Sequence, residues 1–185
     1  MKTLSLATLA LALFVVPAAH AKELKGVKMD DAITVDGKAL KLVGLGLRTK
    51  VVFKVYVGGL YLETPSADAA VVISSDQTKR VVMAMMRDLD KKAIVEAINS
   101  GFEKNSKDTL PALKDRLEKF CAQVPDLKEG DRLTITYLPG KGTTLTGPGG
   151  KEISVEGKDF AEAMFSVWLG KAPVDDDLKK GMLGQ

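Results

Sequence analysis

"LVGLGLRTKVVFKVYVGGLYLE", residues 42–63, is the stretch on which the fold turns. It reads as two consecutive strands, with "RTKV" (48–51) returning the chain into a second strand over 51–63 and Arg48 at the turn. Most of the segment is built for burial, yet it carries Arg48, Tyr56 and Tyr61. Neighbouring residues on a strand face opposite ways, so Tyr56 and Tyr61, at an odd separation, point to opposite faces unless Gly58-Gly59 forms a bulge. Of the two, Tyr56 is read as the ligand contact and Tyr61 as core.

Upstream, Asp36-Gly37 separates Ile33–Val35 from Ala39–Leu47, the signature of a tight hairpin. Downstream, Pro65-Ser66 opens a short segment with a helical turn. "KRVVMAMMRD" (79–88) places apolar residues at successive positions, which predicts a central strand covered on both faces. Asp90 is an N-cap for a helix whose face is Ile94, Ile98 and Phe102. A second helix runs over about 109–124 on Leu110, Leu113, Leu117 and Phe120, and Pro125 stops it. Leu133, Ile135 and Tyr137 alternate with Thr134 and Thr136 as a half-buried strand. A hairpin around Gly147–Gly150 follows, then a helix bearing Phe160, Met164, Val167 and Trp168 that ends at Gly170. Strands, helices, strands, helix, without parallel βαβ alternation, predict an α+β domain: an antiparallel sheet with helices on one face.

The chain opens with "MKTLSLATLALALFVVPAAHA". A basic start, a short apolar run and an A-x-A ending read as a secretory signal peptide over 1–21, cleaved after Ala21 and followed by one domain over 22–185. Lys22 in place of cysteine argues against a lipid-anchored form. No other stretch reaches the length of a membrane span. The expectation is therefore a periplasmic or secreted protein.

The sole histidine, His20, leaves with that peptide. Histidine-based triads, His-bound zinc and His-ligated haem are thereby excluded. The sole cysteine, Cys121, sits among Leu117, Phe120 and Val124 at helical spacing and reads as a buried structural thiol. A net charge of +3 with interspersed signs offers no nucleic-acid face. The glycines over 140–150 lack the order of a phosphate loop. "DDD" at 175–177 reads as a helix start, not as a metal site. No cofactor is expected.

Three blocks, taken in order, carry a resemblance: residues 42–63, "KRVVMAMMRDLDKKAIVEAINSGF" and "FSVWLGKAPVDDDLKKGMLG". Together they resemble the chalcone isomerase-like family, in particular its exported bacterial branch. The resemblance implies an open-faced sandwich: a large antiparallel sheet, a layer of helices on one face, and an apolar cleft between them. Members of the family include plant isomerases that close a chalcone into a flavanone, plastid proteins that bind fatty acids, and fungal mitochondrial relatives associated with haem. Fold alone does not choose among these functions.

The family's shared arginine falls on Arg48, where a guanidinium matches a two-oxygen anion. The catalytic threonine of the plant enzymes falls on Tyr56. Counted from Arg80 without gaps, their active-site tyrosine falls on Lys92 and the family asparagine is kept as Asn99. The specificity position falls at about Val167. Cyclisation needs donors around a developing oxyanion, so these changes argue against chalcone as substrate and no catalytic residue is assigned. The resemblance implies a non-catalytic binder of a small amphipathic anion such as a fatty acid, with Arg48, Tyr56 and Asn99 as ligand contacts. The alternatives are an isomerase (intramolecular lyase) acting on another compound and, ranked lower, haem binding through Tyr, Met or Cys. Each site residue also has a plainer reading: Arg48 as a solvated turn residue, Tyr56 as a packed aromatic, Asn99 as a structural hydrogen-bonder. Lys92 reads as a solvated helix residue, and Arg80 and Arg87 as charges at the strand ends. Met83, Met85, Met86 and Met164 line an adaptable pocket or fill core.

Overall fold

Turn chemistry along the chain sets up a meander. The structure, a computed structural model, describes residues 21–185; the expected signal peptide lies outside the described residues but for Ala21. Strands β1 (Ala21–Leu24) and β2 (Val27–Asp30) form a separate hairpin. Then come β3 (Ala32–Val35), β4 (Lys38–Lys50), β5 (Phe53–Leu62), β6 (Lys79–Met85), β7 (Arg132–Leu138), β8 (Gly142–Thr146) and β9 (Glu152–Val155). These seven make one antiparallel sheet in sequence order, so every strand pairs with its chain neighbours and β6 lies at the centre. Asp36 and Gly37 take positive φ in the β3–β4 turn, as the sequence requires.

Helices enter between strands and at the C-terminal end: α1 (Ala69–Ser74), α2 (Lys91–Asn105), α3 (Leu110–Ala122), α4 (Lys158–Leu169) and α5 (Asp176–Met182). Asp90 accepts from the Ala93 amide at 2.7 Å and starts α2. Asp175 accepts from the Leu178 amide at 2.9 Å, so the acidic run is the start of α5, as read from the sequence. The helices cover one sheet face over the main core, which includes Phe102, Phe120, Phe160 and Phe165. The resulting α+β layering is the expected open-faced sandwich.

The opposite face also holds a core, as the two-sided apolar run over 79–88 implies, but the hairpin that covers it is not marked in the sequence. The β1–β2 hairpin lays Met29 against it, and Leu42, Val57, Tyr61 and Val82 complete it. Tyr61 donates its hydroxyl to the Asp30 carbonyl at 2.9 Å, tying the sheet to that hairpin.

Two local devices position the site. Gly44 and Gly46 lie under α5, where a Cβ would stand 2.2 Å from the carbonyl oxygens of Gly181 and Leu178 respectively. Only glycine admits the helix backbone this close. Next along β4, on the same face, comes Arg48. The register slips between Arg48 and Thr49, which pair with Tyr56 and Lys54 and leave Val55 as a bulge. Val55 and Tyr56 therefore both join the helix-side core although they are consecutive.

Lys79 is wholly buried on β6. Its ammonium donates to the carbonyls of Val72, Ile73 and Ser75 at 2.9, 2.7 and 3.1 Å, satisfying the end of α1. Tyr137 and Phe165 present their rings to the same charge.

Candidate functional site

The sequence placed Arg48 at a turn; the structure places it inside β4, directly across from Tyr56 on β5. The strand runs on through Lys50, and the turn residues are Val51 and Val52. The misreading has a physical cause: neither valine carries the turn chemistry that marks a hairpin. Arg48 is half-buried, and its guanidinium carbon lies 5.7 Å from the Tyr56 ring centroid. Tyr56 is almost fully buried and Tyr61 faces the other core, so strand alternation holds. The bulge sits at Val55 and not at Gly58-Gly59, outside the span between the two tyrosines.

A narrow apolar crevice opens between sheet and helices beside this pair. Tyr56, Met83, Met85 and Leu133 form its floor; Ile94, Ala97 and Ile98 from α2 and Val167 and Trp168 from α4 form its roof. Arg48, Leu89 and Val174 complete the wall. Its volume is only about 30 Å³, on the scale of a single water. Arg48 and Leu89 also line an outer groove of about 430 Å³ whose other charged residues are Lys50, Arg87, Asp88 and Asp90. The arginine thus stands on the boundary between an apolar crevice and an open groove of mixed charge.

The Trp168 indole donates to the Tyr56 hydroxyl at 3.0 Å. Among the described residues the hydroxyl donates to no acceptor, so its proton is available to the crevice. Burial raises the Tyr56 pKa, opposed first by the Arg48 charge. The crevice lining contains no carboxylate, and burial keeps Tyr56 in its neutral form. The arrangement presents a fixed cation, a hydroxyl group and oily walls side by side.

Asn99 does not join this pair. It is exposed on α2, one residue past the buried Ile98, and its Oδ1 accepts from Cys121 Sγ on α3 at 3.8 Å. The helix turns about 100° per residue, which carries Asn99 away from the face that Ile94 and Ile98 present to the crevice. Lys92 is exposed, as read, whereas Val167 lines the crevice. Met83 and Met85 line it too; Met164 is core, and Met86 packs on the opposite face. Cys121 is buried, with its thiol pushed up to about 11 by desolvation. Arg80 donates to Thr136 Oγ1 at 2.8 Å, and Arg87 is exposed over the Phe53 ring.

Two contributors escaped the sequence reading. Trp168 was read only as a helix-face residue, although a buried indole N–H demands a partner and so points to a nearby acceptor. Asn105 accepts from the Ala172 amide at 2.9 Å and donates to the Gly101 and Ala172 carbonyls. It pins the end of α2, the crevice roof, to the segment after α4; no pattern in the sequence marks it.

A family model described as chalcone isomerase-like matches residues 21–184. Comparison with curated proteins returns no match. Among solved structures, a fatty-acid binding protein of Arabidopsis thaliana superposes with a TM-score of 0.68 at 16% sequence identity, covering 89% of this chain and 96% of the other. At that identity the likeness is one of fold.

Proposed function

Because the chain belongs to the chalcone isomerase-like family, we propose that it binds a small amphipathic anion, a fatty acid being the simplest, without converting it chemically. The observation that carries this reading is the position of Arg48: half-buried, stacked near Tyr56, and shared by the apolar crevice and the outer groove. A carboxylate in the groove can take two parallel hydrogen bonds from the guanidinium, while its hydrocarbon tail is directed inward.

Binding on these terms requires the crevice to widen. Ligand pockets span roughly 300–1,000 Å³, and the crevice holds about 30 Å³. Met83 and Met85 are the side chains with the freedom to move aside. The Arabidopsis protein of like fold is named as a fatty-acid binder, which agrees with this reading. The reading also makes the protein an exported one, on the strength of the leader at 1–21. A mature form sequenced from Lys22 checks the cleavage.

Trp168 is the sole tryptophan and lines the crevice, so its emission reports entry of a ligand. Titrating delipidated protein with dodecanoate should give a saturable change. Arg48→Ala should weaken binding about tenfold to a hundredfold, the range for a charged hydrogen bond. Arg48→Lys should fall between, keeping the charge but not the fork. No saturable response, or equal affinity in Arg48→Ala, removes the proposal.

A further inference from the structure

The β4–β5 hairpin ends in an apolar tip. Val51, Val52 and Phe53 are 87%, 78% and 57% exposed, and among the described residues Val71 alone is another large hydrophobic side chain so displayed. Single exposed apolar residues are ordinary; a consecutive run at a hairpin end is not.

The tip also breaks its local turn rule. Val51 has φ +59°, in the left-handed region that a β-branched side chain avoids. The other two two-residue hairpin turns meet that need with Lys25-Gly26 and Asp36-Gly37. A polar pair such as Asn-Gly would be both more stable and more soluble here. A strained and exposed valine is accounted for by what it presents, not by what it stabilises.

A collar of positive charge surrounds the tip. Lys50 and Lys54 flank it and are exposed, and the Arg87 guanidinium lies 4.8 Å from the Phe53 ring centroid. None of the three takes part in a salt bridge among the described residues. The nearby carboxylates are engaged: Asp88 with Lys128, Asp90 with the start of α2, Asp175 with Thr49 and α5.

We propose that this tip docks on an anionic phospholipid surface, the valines and Phe53 entering the headgroup boundary while Lys50, Lys54 and Arg87 meet the phosphates. The apolar centre with a cationic rim fits that partner's two layers in depth and in charge. Lys50, Val51 and Phe53 also line the outer groove beside Arg48, so docking sets the groove against lipid. That consequence rests on the ligand proposal above; the docking itself does not.

The test is sedimentation of the mature chain from Lys22 onwards with vesicles, in the absence of free fatty acid. One set is phosphatidylcholine alone; the other adds phosphatidylglycerol. Binding to the anionic set is expected, and its loss at about 0.5 M salt, where screening shortens to a few Å. Val51→Asn with Val52→Gly should reduce binding about tenfold or more, two buried valines being removed. Since that pair relieves the turn, its Tm should hold or rise, which separates lost docking from lost folding. Lys50→Gln with Lys54→Gln should cost about fivefold per lysine. Failure to sediment with anionic vesicles, or equal sedimentation of the turn variant, overturns the proposal. A protein that takes up dodecanoate yet ignores vesicles overturns docking alone. One that docks but leaves dodecanoate unbound overturns only the ligand reading.

Discussion

Trp168 on α4 and Tyr56 on β5 share one hydrogen bond, indole N–H to hydroxyl at 3.0 Å, and it joins the roof of the crevice to its floor. Both side chains are nearly fully buried, so neither polar atom has ready recourse to water. The bond holds the crevice shut on that side and leaves the tyrosine's own proton without an acceptor among the described residues.

Removing one partner strands the other. Tyr56→Phe leaves the indole N–H buried and unpaired, and should destabilise the protein by about 1–3 kcal/mol in urea unfolding. Trp168→Phe loses the indole packing as well. With the double variant completing a cycle, a coupling of about 0.5–1.5 kcal/mol is expected for the bond itself. A coupling of zero would show that the contact does not hold roof to floor.

Widening the crevice should improve binding at the expense of stability. Met83→Ala removes a side chain from the floor beside Tyr56. The cost should be about 2–5 kcal/mol, the range for a buried Met truncated to Ala. Dodecanoate should then bind more tightly, about tenfold, because less of its binding energy goes into opening the walls. Calorimetry of unfolding together with Trp168 titration checks both halves. Unchanged or weaker binding would place the ligand outside the crevice.

Alkaline pH should unfold the protein, in two stages whose signs follow from burial. Cys121 is raised from 9.0 to about 11 and Tyr61 from 10.0 to about 12, both by desolvation first. Each keeps its proton in the fold after the unfolded chain has lost it. Their stabilisation is full below the unfolded value and is lost as pH rises through the folded one. Lys79 runs the other way: burial pushes it from 10.5 down to about 8, so its share grows as pH climbs between those values. The lysine and the thiol therefore offset each other near pH 9, and stability should be nearly flat there. Above about pH 10.5 Lys79 contributes no further rise while the tyrosines titrate, and the urea midpoint should drop steeply. Cys121→Ala should leave the Lys79 rise unopposed, so that the urea midpoint climbs between about pH 9 and 10.5 where the parent protein is flat.

Much of the fold was legible in the chain because its signals are local. Asp36-Gly37 marks a turn whatever surrounds it, and Asp90 caps a helix through its own amides. The spacing of Ile94, Ile98 and Phe102 names a helix face. The period of a strand, undisturbed between Tyr56 and Tyr61, was enough to send them to opposite cores. The order of the three family blocks supplied the architecture that these local signals do not reach.

What the sequence did not reveal depends on residues that meet only in three dimensions. The β4–β5 turn was missed because Val51-Val52 defies turn chemistry, and that placed Arg48 outside its strand. Asn99 was grouped with Arg48 by family position, yet one helical residue's rotation turns it toward Cys121. The volume of the crevice is decided by side chains from β4, β5, β6, β7, α2 and α4 closing on one another. Periodicity names the face each of them shows, but the gap left between faces is a difference of packed volumes, and only the assembled fold determines it.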